Sequence, residues 1–276
     1  MISRREIVGR LTSAAEPLYG GSEARQIARM ILEARTGTTL TQLAVEPDAA
    51  VEFDDMESVA AEIAAGRPVQ YVLGEAEFCG MMFSVGEGVL IPRPETEELV
   101  AHVAEARPRS VLDICTGSGC IAVSLARMLP ATEVWAVDLS AEALAYARRN
   151  AARLDADVRF VQADALAMPD FGRRFDAVVS NPPYIPHSER ESMRLNVTGY
   201  EPAMALFVDD SDPLLFYRAI ARQSGAVLTA GGALWFEVHE RFADDVARLL
   251  EREYFEDVVI CRDINDKPRI VCGRKR

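Results

Sequence analysis

Lysine is nearly absent from this chain of 276 residues, and acidic residues outnumber basic ones. Only Lys267 and Lys275 are lysines, and the formal net charge is −13. Proteins that bind duplex DNA need clustered lysine and arginine, because the release of counterions from the phosphates supplies most of their affinity. The charge therefore argues against DNA and against any other direct nucleic-acid substrate.

The chain also lacks paired cysteines and long apolar runs. Its five cysteines are scattered and form no Cys-x-x-Cys pair, a pattern typical of free thiols that argues against a disulfide framework and a zinc site. No apolar run reaches the length of a membrane helix, and residues 1–5 do not lead into the apolar stretch of a signal peptide. We therefore expect a cytoplasmic protein with no membrane partner and no metal site.

A polar motif follows an apolar run in the carboxyl-terminal half. Residues 176–180 lead directly into Asn181-Pro182-Pro183-Tyr184, and open α/β sheets hold their ligands at the carboxyl ends of strands. Each proline fixes φ and removes an N–H group, so nearby main-chain carbonyls remain free to accept from a ligand. The motif predicts a clamp for an amide or an amine. The alternative is that Asn-Pro only starts a turn.

A glycine-rich turn lies upstream of this motif. Residues 111–122 are typical of a buried strand, a glycine turn and the start of a helix. Gly117 and Gly119 with Ala122 satisfy the dinucleotide fingerprint, and Asp138 ends the next predicted strand, where it could bind ribose hydroxyls. Asp113 stands just before the glycines, where an acid suits a cationic ligand better than a pyrophosphate. S-adenosylmethionine is such a cation.

Together, the two motifs resemble class I methyltransferases that act on planar amide or amino nitrogens, among them adenine-N6 DNA methyltransferases and protein glutamine methyltransferases. Four flanking segments, 66–71, 78–80, 90–100 and 200–206, resemble the release-factor glutamine methyltransferase family. The resemblance covers nearly the whole chain. Its most specific piece is Pro92–Leu99, because the related ribosomal-protein glutamine methyltransferases differ there.

The resemblance implies S-adenosylmethionine as cofactor and a set of site residues. Its implied cofactor contacts are Asp113, Cys115, Thr116, Gly117, Ser118, Gly119, Asp138, Asp164, Ala165 and Asn181. The implied substrate contacts are Asn181, Pro182, Pro183 and Tyr184, with Asn181 and Pro182 catalytic. Tyr184 would offer an aromatic face to the substrate, or else be a packed loop residue.

A second interpretation exists for Asp164 and for residues 92–96. Asp164 is implied to contact the adenine amino group beside Ala165, but it could instead cap a helix. The segment Pro92–Thr96 is implied to form a lid, and Thr96 could cap a helix from Glu97 to Ala104.

Three departures from the family pattern are visible. Cys115 replaces the glycine that most members carry, and we expect it to follow the strand without steric trouble. His239 stands where glycine or asparagine is usual, and residues 208–213 replace a commoner glycine-rich sequence. Cys115 and residues 208–213 lie outside the clamp, and at Cys115 we expect altered loop packing with cofactor binding retained. His239 bears only on the local turn after the fifth predicted strand.

The predicted fold class is α/β, with a Rossmann-like class I methyltransferase sheet of seven strands, the last pair antiparallel. Strands are expected near 110–114, 133–138, 157–162, 175–180, 233–238, 257–262 and 268–272. Apolar residues at helical spacing, at 24–32 and 56–64, predict a small amino-terminal bundle. The predicted domains are a helical substrate-recognition domain at 1–77, a β-hairpin linker at 78–91 and a methyltransferase domain at 92–276.

The leading hypothesis for function is methyl transfer to the glutamine of the Gly-Gly-Gln motif in class I peptide chain release factors. The same reaction on a ribosomal protein is the runner-up, and an adenine-N6 DNA methyltransferase is disfavoured by charge. A nicotinamide dehydrogenase is disfavoured because no Tyr-x-x-x-Lys pair occurs and Asn181 would have no task. A catalytically silent module that binds release factors is the remaining alternative.

Overall fold

The computed structural model describes residues 1–276, which divide into two units. One unit comprises residues 1–75 and 194–200, and the other comprises 76–193 and 201–276. No sequence pattern indicated that the short segment 194–200 belongs with the amino-terminal residues. Its place there is secured by Arg194, which donates to Glu23 at 2.9 Å, and by the Tyr200 hydroxyl, which donates to the Ala65 carbonyl at 2.9 Å.

The first unit is helical, as its apolar spacing predicts. Its elements before residue 75 are β1 Ile2–Ser3, α1 Arg4–Thr36, α2 Leu40–Val45, β2 Ala50–Val51, α3 Met56–Ala64 and α4 Val69–Leu73. Helix α1 is interrupted at Gly20, whose φ of 73° is not helical, and it ends at Gly37, whose φ of 68° is typical of a C-terminal cap. The buried core of this unit includes Ile7, Leu11, Ala24, Ile27, Ala28, Ile31, Leu32, Met56, Val59 and Ile63. The predicted stripes consist of Ala24, Ile27, Ala28, Ile31, Leu32, Met56, Val59, Ala60, Ile63 and Ala64, and of these ten residues Ala64 alone is exposed.

The rest of the chain alternates strands and helices. Its elements are β3 Glu75–Phe78, β4 Met81–Ser84, α5 Pro94–Glu105, β5 Ser110–Ile114, α6 Cys120–Met128, β6 Glu133–Asp138, α7 Ala141–Arg153, β7 Val158–Gln162, β8 Phe175–Ser180, β9 Ile185–Pro186, α8 Leu195–Thr198, α9 Ala203–Leu206, β10 Phe207–Val208, α10 Leu215–Val227, β11 Leu228–Glu237, α11 Ala243–Arg252, β12 Phe255–Arg262 and β13 Pro268–Lys275. Two 3-10 helices, His187–Ser192 and Glu240–Phe242, complete the list.

The predicted seven-stranded sheet is confirmed. Its order is β12-β13-β11-β8-β5-β6-β7, and β13 runs antiparallel to both β11 and β12 while the other neighbours are parallel. Alternate residues of the central strands face different helices: Leu112 and Val178 pack with α10 and α11, whereas Val111 and Val179 pack with α5, α6 and α7. The strand order reverses at β5 and β8, and ligands of such sheets bind at this switch point.

Two boundaries differ from the prediction. Strand β11 begins at Leu228 and not at 233, because a register shift between Leu228 and Ala233 absorbs the two glycines that suggested a turn. The hairpin of β3 and β4 begins at Glu75, ahead of the predicted start at 78. Its turn lies at Cys79 and Gly80, with φ of 50° and 69°, the signs that a two-residue hairpin turn of type I′ requires.

None of the helices combines the length and the apolar character needed to cross a lipid bilayer. The five cysteines are free thiols.

Candidate active site

A cleft opens at the carboxyl ends of β5, β6 and β8. It holds about 970 Å³ of empty space, including the part open to solvent, which is ample for a cofactor of small-molecule size. The sequence-predicted residues that line it are Cys115, Thr116, Gly117, Ser118, Asp138, Asp164, Ala165, Asn181 and Pro183. Four others do not line it: Asp113, Gly119, Pro182 and Tyr184.

The glycine loop is held to the neighbouring strand by its own main chain. The Thr116 N–H donates to the Val137 carbonyl at 3.0 Å, and the Gly117 N–H donates to Asp138 Oδ2 at 2.8 Å. Gly119 has a φ of 82°, and a Cβ there would lie 3.0 Å from the Ala147 Cβ. A Cβ on Gly117 would meet nothing within 4 Å. Gly119 therefore serves the packing of α6 on α7, whereas Gly117 leaves open space in the cleft wall.

Cys115 does not follow the strand as expected. Its φ is 64°, in the left-handed region that costs a residue with a Cβ about 1 kcal/mol or more. The expectation of no steric trouble is therefore wrong, because the backbone leaves β5 in a left-handed conformation that suits glycine better than a residue with a Cβ. The side chain packs at the edge of the core cluster beneath the sheet.

Asp138 lines the cleft, and main-chain donors engage both of its carboxylate oxygens. Oδ2 accepts from Gly117, and Oδ1 accepts from the Ser140 N–H at 2.9 Å. Burial raises the pKa of this carboxyl, and these N–H groups oppose the rise. Each oxygen keeps a further lone pair that can accept from a ligand hydroxyl.

Asp113 lies beneath the loop and not in its wall. It is fully buried, and the Thr116 hydroxyl donates to its Oδ2 at 2.5 Å. Burial raises its pKa to about 7. The structure thus places Asp113 where it supports Thr116, which does line the cleft, and its direct contact with a cationic ligand stays a prediction.

Asp164 lines the cleft together with its chain neighbours Ala163 and Ala165. Its Oδ1 accepts from the Leu166 N–H at 2.8 Å. No helix follows it, so the helix-cap alternative is wrong. Ala165 is held by the Gln223 amide, which donates to its carbonyl at 2.8 Å.

The clamp segment begins where β8 ends. Asn181 Nδ2 donates to Thr96 Oγ1 at 3.3 Å, and Thr96 Oγ1 donates in turn to Glu237 Oε2 at 2.6 Å. The Tyr184 hydroxyl donates to Glu237 Oε1 at 3.1 Å. Tyr184 is therefore directed at this carboxylate, and its ring packs against the core cluster. Burial raises the pKa of Tyr184.

Thr96 is not a helix cap. Helix α5 begins at Pro94, with Arg93 at the cap position, so Thr96 lies inside the first turn and is only 1% exposed. A proline is preferred at the first helical position because the missing N–H has no partner there in any case. The sequence interpretation placed the start of this helix three residues too late.

Glu237 and Glu201 are buried acids that the sequence interpretation did not assign. Glu237 is 1% exposed at the end of β11, and burial raises its pKa while the donors Thr96 and Tyr184 and the charge of Arg269 oppose the rise. The only sequence signal for it is one acid closing an otherwise apolar strand, since buried carboxylates need partners.

Glu201 joins two segments beside the cleft, the one before α5 and the one that follows the clamp. Its side chain is 1% exposed, and it accepts from the Ile91 N–H at 3.0 Å and from Arg93 Nη2 at 2.6 Å. Arg93 and Pro202, next to Glu201 in the chain, both line the cleft. A charge-assisted bond of this kind holds the segment before α5 against the loop that follows the clamp.

Comparisons with known proteins agree with this architecture. A family model described as a methyltransferase domain matches residues 111–197, and one described as the PrmC N-terminal domain matches residues 10–74. A methyltransferase structure from Pyrococcus furiosus aligns with a TM-score of 0.56 at 16% identity, over 81% of this chain and 99% of that one. A 16S ribosomal RNA methyltransferase from T. thermophilus, in complex with AdoMet and guanosine, aligns with a TM-score of 0.53 at 18% identity, over 73% of this chain and 50% of that one. Both show the class of fold.

Curated relatives are similar along nearly the whole sequence. The release factor glutamine methyltransferase of Bacteroides thetaiotaomicron is 39% identical, over 98% of this chain and 99% of its own length. That of Burkholderia pseudomallei is 40% identical, over 95% of this chain and 96% of its own length. Similarity of this extent shows that the chain belongs to the release factor glutamine methyltransferase family of S-adenosylmethionine-dependent methyltransferases.

Proposed function

We propose that this protein transfers the methyl group of S-adenosylmethionine to the side-chain amide nitrogen of the glutamine in the Gly-Gly-Gln motif of class I peptide chain release factors. The observation that carries the proposal is that one cleft brings together the glycine loop, Asp138 and the Asn181 amide. The choice of release factors rests on relatives of that name that match along nearly the whole chain. Such a substrate would place the enzyme in the cytoplasm.

The residues of the cleft fit S-adenosylmethionine. Asp138 has free lone pairs for ribose hydroxyls, Asp164 can accept from an adenine amino group beside the apolar Ala165, and Gly117 leaves room for a ligand. When bound, S-adenosylmethionine supplies a methyl group made electrophilic by the sulfonium charge. The acidic lining favours that positive charge.

The clamp compensates for the weak nucleophilicity of an amide. The lone pair of an amide nitrogen is delocalised into its carbonyl. We propose that Asn181 Oδ1 and the Pro182 carbonyl accept the two amide hydrogens of the substrate and hold its nitrogen in line with the methyl group. Asn181 lines the cleft and Pro182 does not, so the role of the Pro182 carbonyl rests on the family resemblance. Alignment of this kind can lower a barrier by about 7–11 kcal/mol in favourable cases. Pro183, in the cleft wall, would shape the same surface.

Tyr184 has a supporting task in this scheme. Its hydroxyl donates to Glu237, so we propose that Tyr184 stabilises the conformation of the clamp segment. A direct contact between Tyr184 and the substrate stays a prediction.

We further propose that the amino-terminal domain, predicted at 1–77 and observed as a unit of residues 1–75 and 194–200, recognises the release factor. The methyltransferase unit contains both the glycine loop and the clamp, which leaves the helical unit without a chemical task. Contacts between this unit and the release factor would supply binding energy away from the reacting amide, and such binding energy lowers KM.

A transfer assay tests the substrate. The enzyme is incubated with methyl-labelled S-adenosylmethionine and, separately, a class I release factor, ribosomal proteins and DNA, and any label is mapped by mass spectrometry. Label on the glutamine of Gly-Gly-Gln supports the proposal. A release factor in which that glutamine is replaced by glutamate is the control and should stay unlabelled. Label confined to a ribosomal protein or to adenine would replace the proposal with that alternative.

A further inference from the structure

The Asn181 amide can face the cleft in two ways, and only one of them suits an amide substrate. With Oδ1 towards the cleft it accepts a hydrogen bond from the substrate NH₂ group, whereas with Nδ2 towards the cleft two donors would oppose each other. We propose that Thr96 and Glu237 are positioning residues that fix the orientation of the Asn181 amide, so that Oδ1 is presented to the substrate. This inference rests on the proposed function, because it concerns the same clamp.

The number of hydrogens on the Thr96 hydroxyl determines which end of the Asn181 amide can face it. Thr96 Oγ1 has one hydrogen, and it is used in the bond to Glu237 Oε2 at 2.6 Å. An ionised carboxylate accepts hydrogen bonds and cannot donate one. Thr96 can therefore only accept from Asn181, so the atom within 3.3 Å of Thr96 Oγ1 must be the Nδ2 donor. The other end of the amide, Oδ1, is then left to accept from a ligand.

The neighbours of Glu237 hold its two carboxylate oxygens in place as acceptors for Thr96 and Tyr184. Tyr184 donates to Oε1 while Thr96 donates to Oε2, so each carboxylate oxygen has a donor from a different segment. The charge of Arg269 favours the ionised form, and the charge of Glu95 opposes it. Arg269 is itself held by Asp263, whose Oδ2 lies 3.1 Å from its Nε. Glu237 does not line the cleft, and its side-chain hydrogen bonds are with Thr96 and Tyr184, so it would act through Thr96.

Protonation of Glu237 would remove this control. A neutral carboxyl can donate to Thr96, which frees the threonine hydrogen to point at Asn181 and permits the amide to turn over. Because burial raises the pKa of Glu237, turnover measured at saturating S-adenosylmethionine should fall as the pH drops through that pKa. Saturating cofactor removes the contribution of weaker binding when Asp138, whose pKa is also raised by burial, takes up a proton. A purely structural role for Thr96 predicts no such fall.

Variants of Thr96 and Asn181 test the positioning. Thr96→Val keeps the shape and removes the hydroxyl, and we expect kcat to fall roughly tenfold or more with little change in the Kd of S-adenosylmethionine. Thr96→Ser restores the hydroxyl and should keep kcat within about threefold of the wild type. In an Asn181→Ala background, Thr96→Val should cost less than about twofold, since a residue that acts through Asn181 has nothing left to orient. An equal loss in both backgrounds, or an unchanged kcat for Thr96→Val, overturns the proposal.

A second measurement needs no substrate, and it separates this inference from the proposed function. In the ¹⁵N-labelled protein, the side-chain NH₂ signal of Asn181, identified by its loss in Asn181→Ala, should show slow solvent exchange in the wild type and in Thr96→Ser. Exchange should be at least roughly tenfold faster in Glu237→Gln and, if it folds, in Thr96→Val. Equal exchange in the wild type and Glu237→Gln contradicts the positioning role, even when methyl transfer is normal. Failure of the wild type to label a release factor contradicts only the proposed function.

Discussion

The two walls of the cleft are stabilised in different ways. The wall around the glycine loop is organised by main-chain N–H groups that converge on Asp138, from Gly117 and Ser140. The clamp wall is organised by side chains, with Asn181 bound to Thr96 and Thr96 to Glu237. The first arrangement suits the binding of a common cofactor, and the second suits the alignment of one reacting group. Substitutions in the first wall should therefore weaken cofactor binding, whereas substitutions in the second should lower the rate of methyl transfer.

The largest effect is expected at the clamp. Asn181→Ala should lower kcat by roughly 100-fold with cofactor affinity nearly unchanged, because the side chain aligns the substrate amide in this account. Steady-state kinetics with release factor and calorimetric titration with S-adenosylmethionine measure the two quantities. Asn265→Ala, in an exposed turn between β12 and β13, is the matched control and should keep wild-type turnover. A variant that retains more than a tenth of wild-type kcat would remove Asn181 from the alignment role.

The opposite pattern is expected for Asp138. Asp138→Ala removes an acceptor for ribose hydroxyls and also frees two loop N–H groups, so the Kd of S-adenosylmethionine should rise at least about tenfold. Calorimetry gives the Kd, and a thermal melt checks that the protein is folded. An unchanged Kd in a folded variant would exclude Asp138 from the cofactor site.

The two loop glycines should differ from each other. Gly119→Ala forces a Cβ to within 3.0 Å of the Ala147 Cβ at a positive φ, and we expect a loss of about 2–3 kcal/mol of stability. Gly117→Ala meets open space and should lose only the conformational cost, about 1–2 kcal/mol. Denaturant unfolding of both variants measures the difference. Equal losses would mean that Gly119 is not needed for the contact between α6 and α7.

Asp113 should make stability depend on pH. Its pKa is raised from 3.8 to about 7 by burial, so the folded state binds the proton more tightly than the unfolded state. Its contribution to stability therefore declines as the pH rises from about 4 to about 7. Asp113→Asn cannot titrate, and its Tm should fall less than that of the wild type between pH 5 and pH 8. Parallel Tm curves for the two proteins would show that Asp113 is not the titrating group.

The smallest effect is expected at Cys115, where two variants separate strain from packing. Cys115→Ala keeps a Cβ at the φ of 64°, whereas Cys115→Gly removes it. We expect the glycine variant to be more stable than the alanine variant by about 1 kcal/mol, measured by denaturant unfolding. An alanine variant equal to or more stable than the glycine variant would refute the strain.

The contrast between the walls also explains what could be predicted from sequence. The strands, the glycine turn and the positions of Asp138 and Asn181 at strand ends could be predicted, because each depends on neighbours within a short stretch of chain, where apolar period and turn residues are informative. The partners of Asn181 were not found, since Thr96 lies 85 residues from Asn181 and Glu237 lies 141 residues from Thr96. Only the pairing of β8 with β11, and the packing of α5 beside them, brings these side chains together.

Local backbone conformation was the second feature that could not be predicted from the sequence. Two features depend on backbone conformation at the end of an element: the start of α5 at Pro94 and the left-handed turn at Cys115. Residue type restricts the backbone conformation at such positions only weakly. Burial of Asp113 beneath the loop was likewise invisible, because a strand acid before glycines can point to either face of the sheet.

Single-turnover kinetics test the division between the walls most directly. Enzyme in excess over release factor is mixed with increasing S-adenosylmethionine, and the rate of methyl transfer is followed to saturation. Asp138→Ala should need more cofactor but approach the wild-type rate at saturation, whereas Asn181→Ala should remain slow at every concentration. If saturating cofactor restored the rate of Asn181→Ala, or left Asp138→Ala just as slow as Asn181→Ala, the separate roles of the two walls would be wrong.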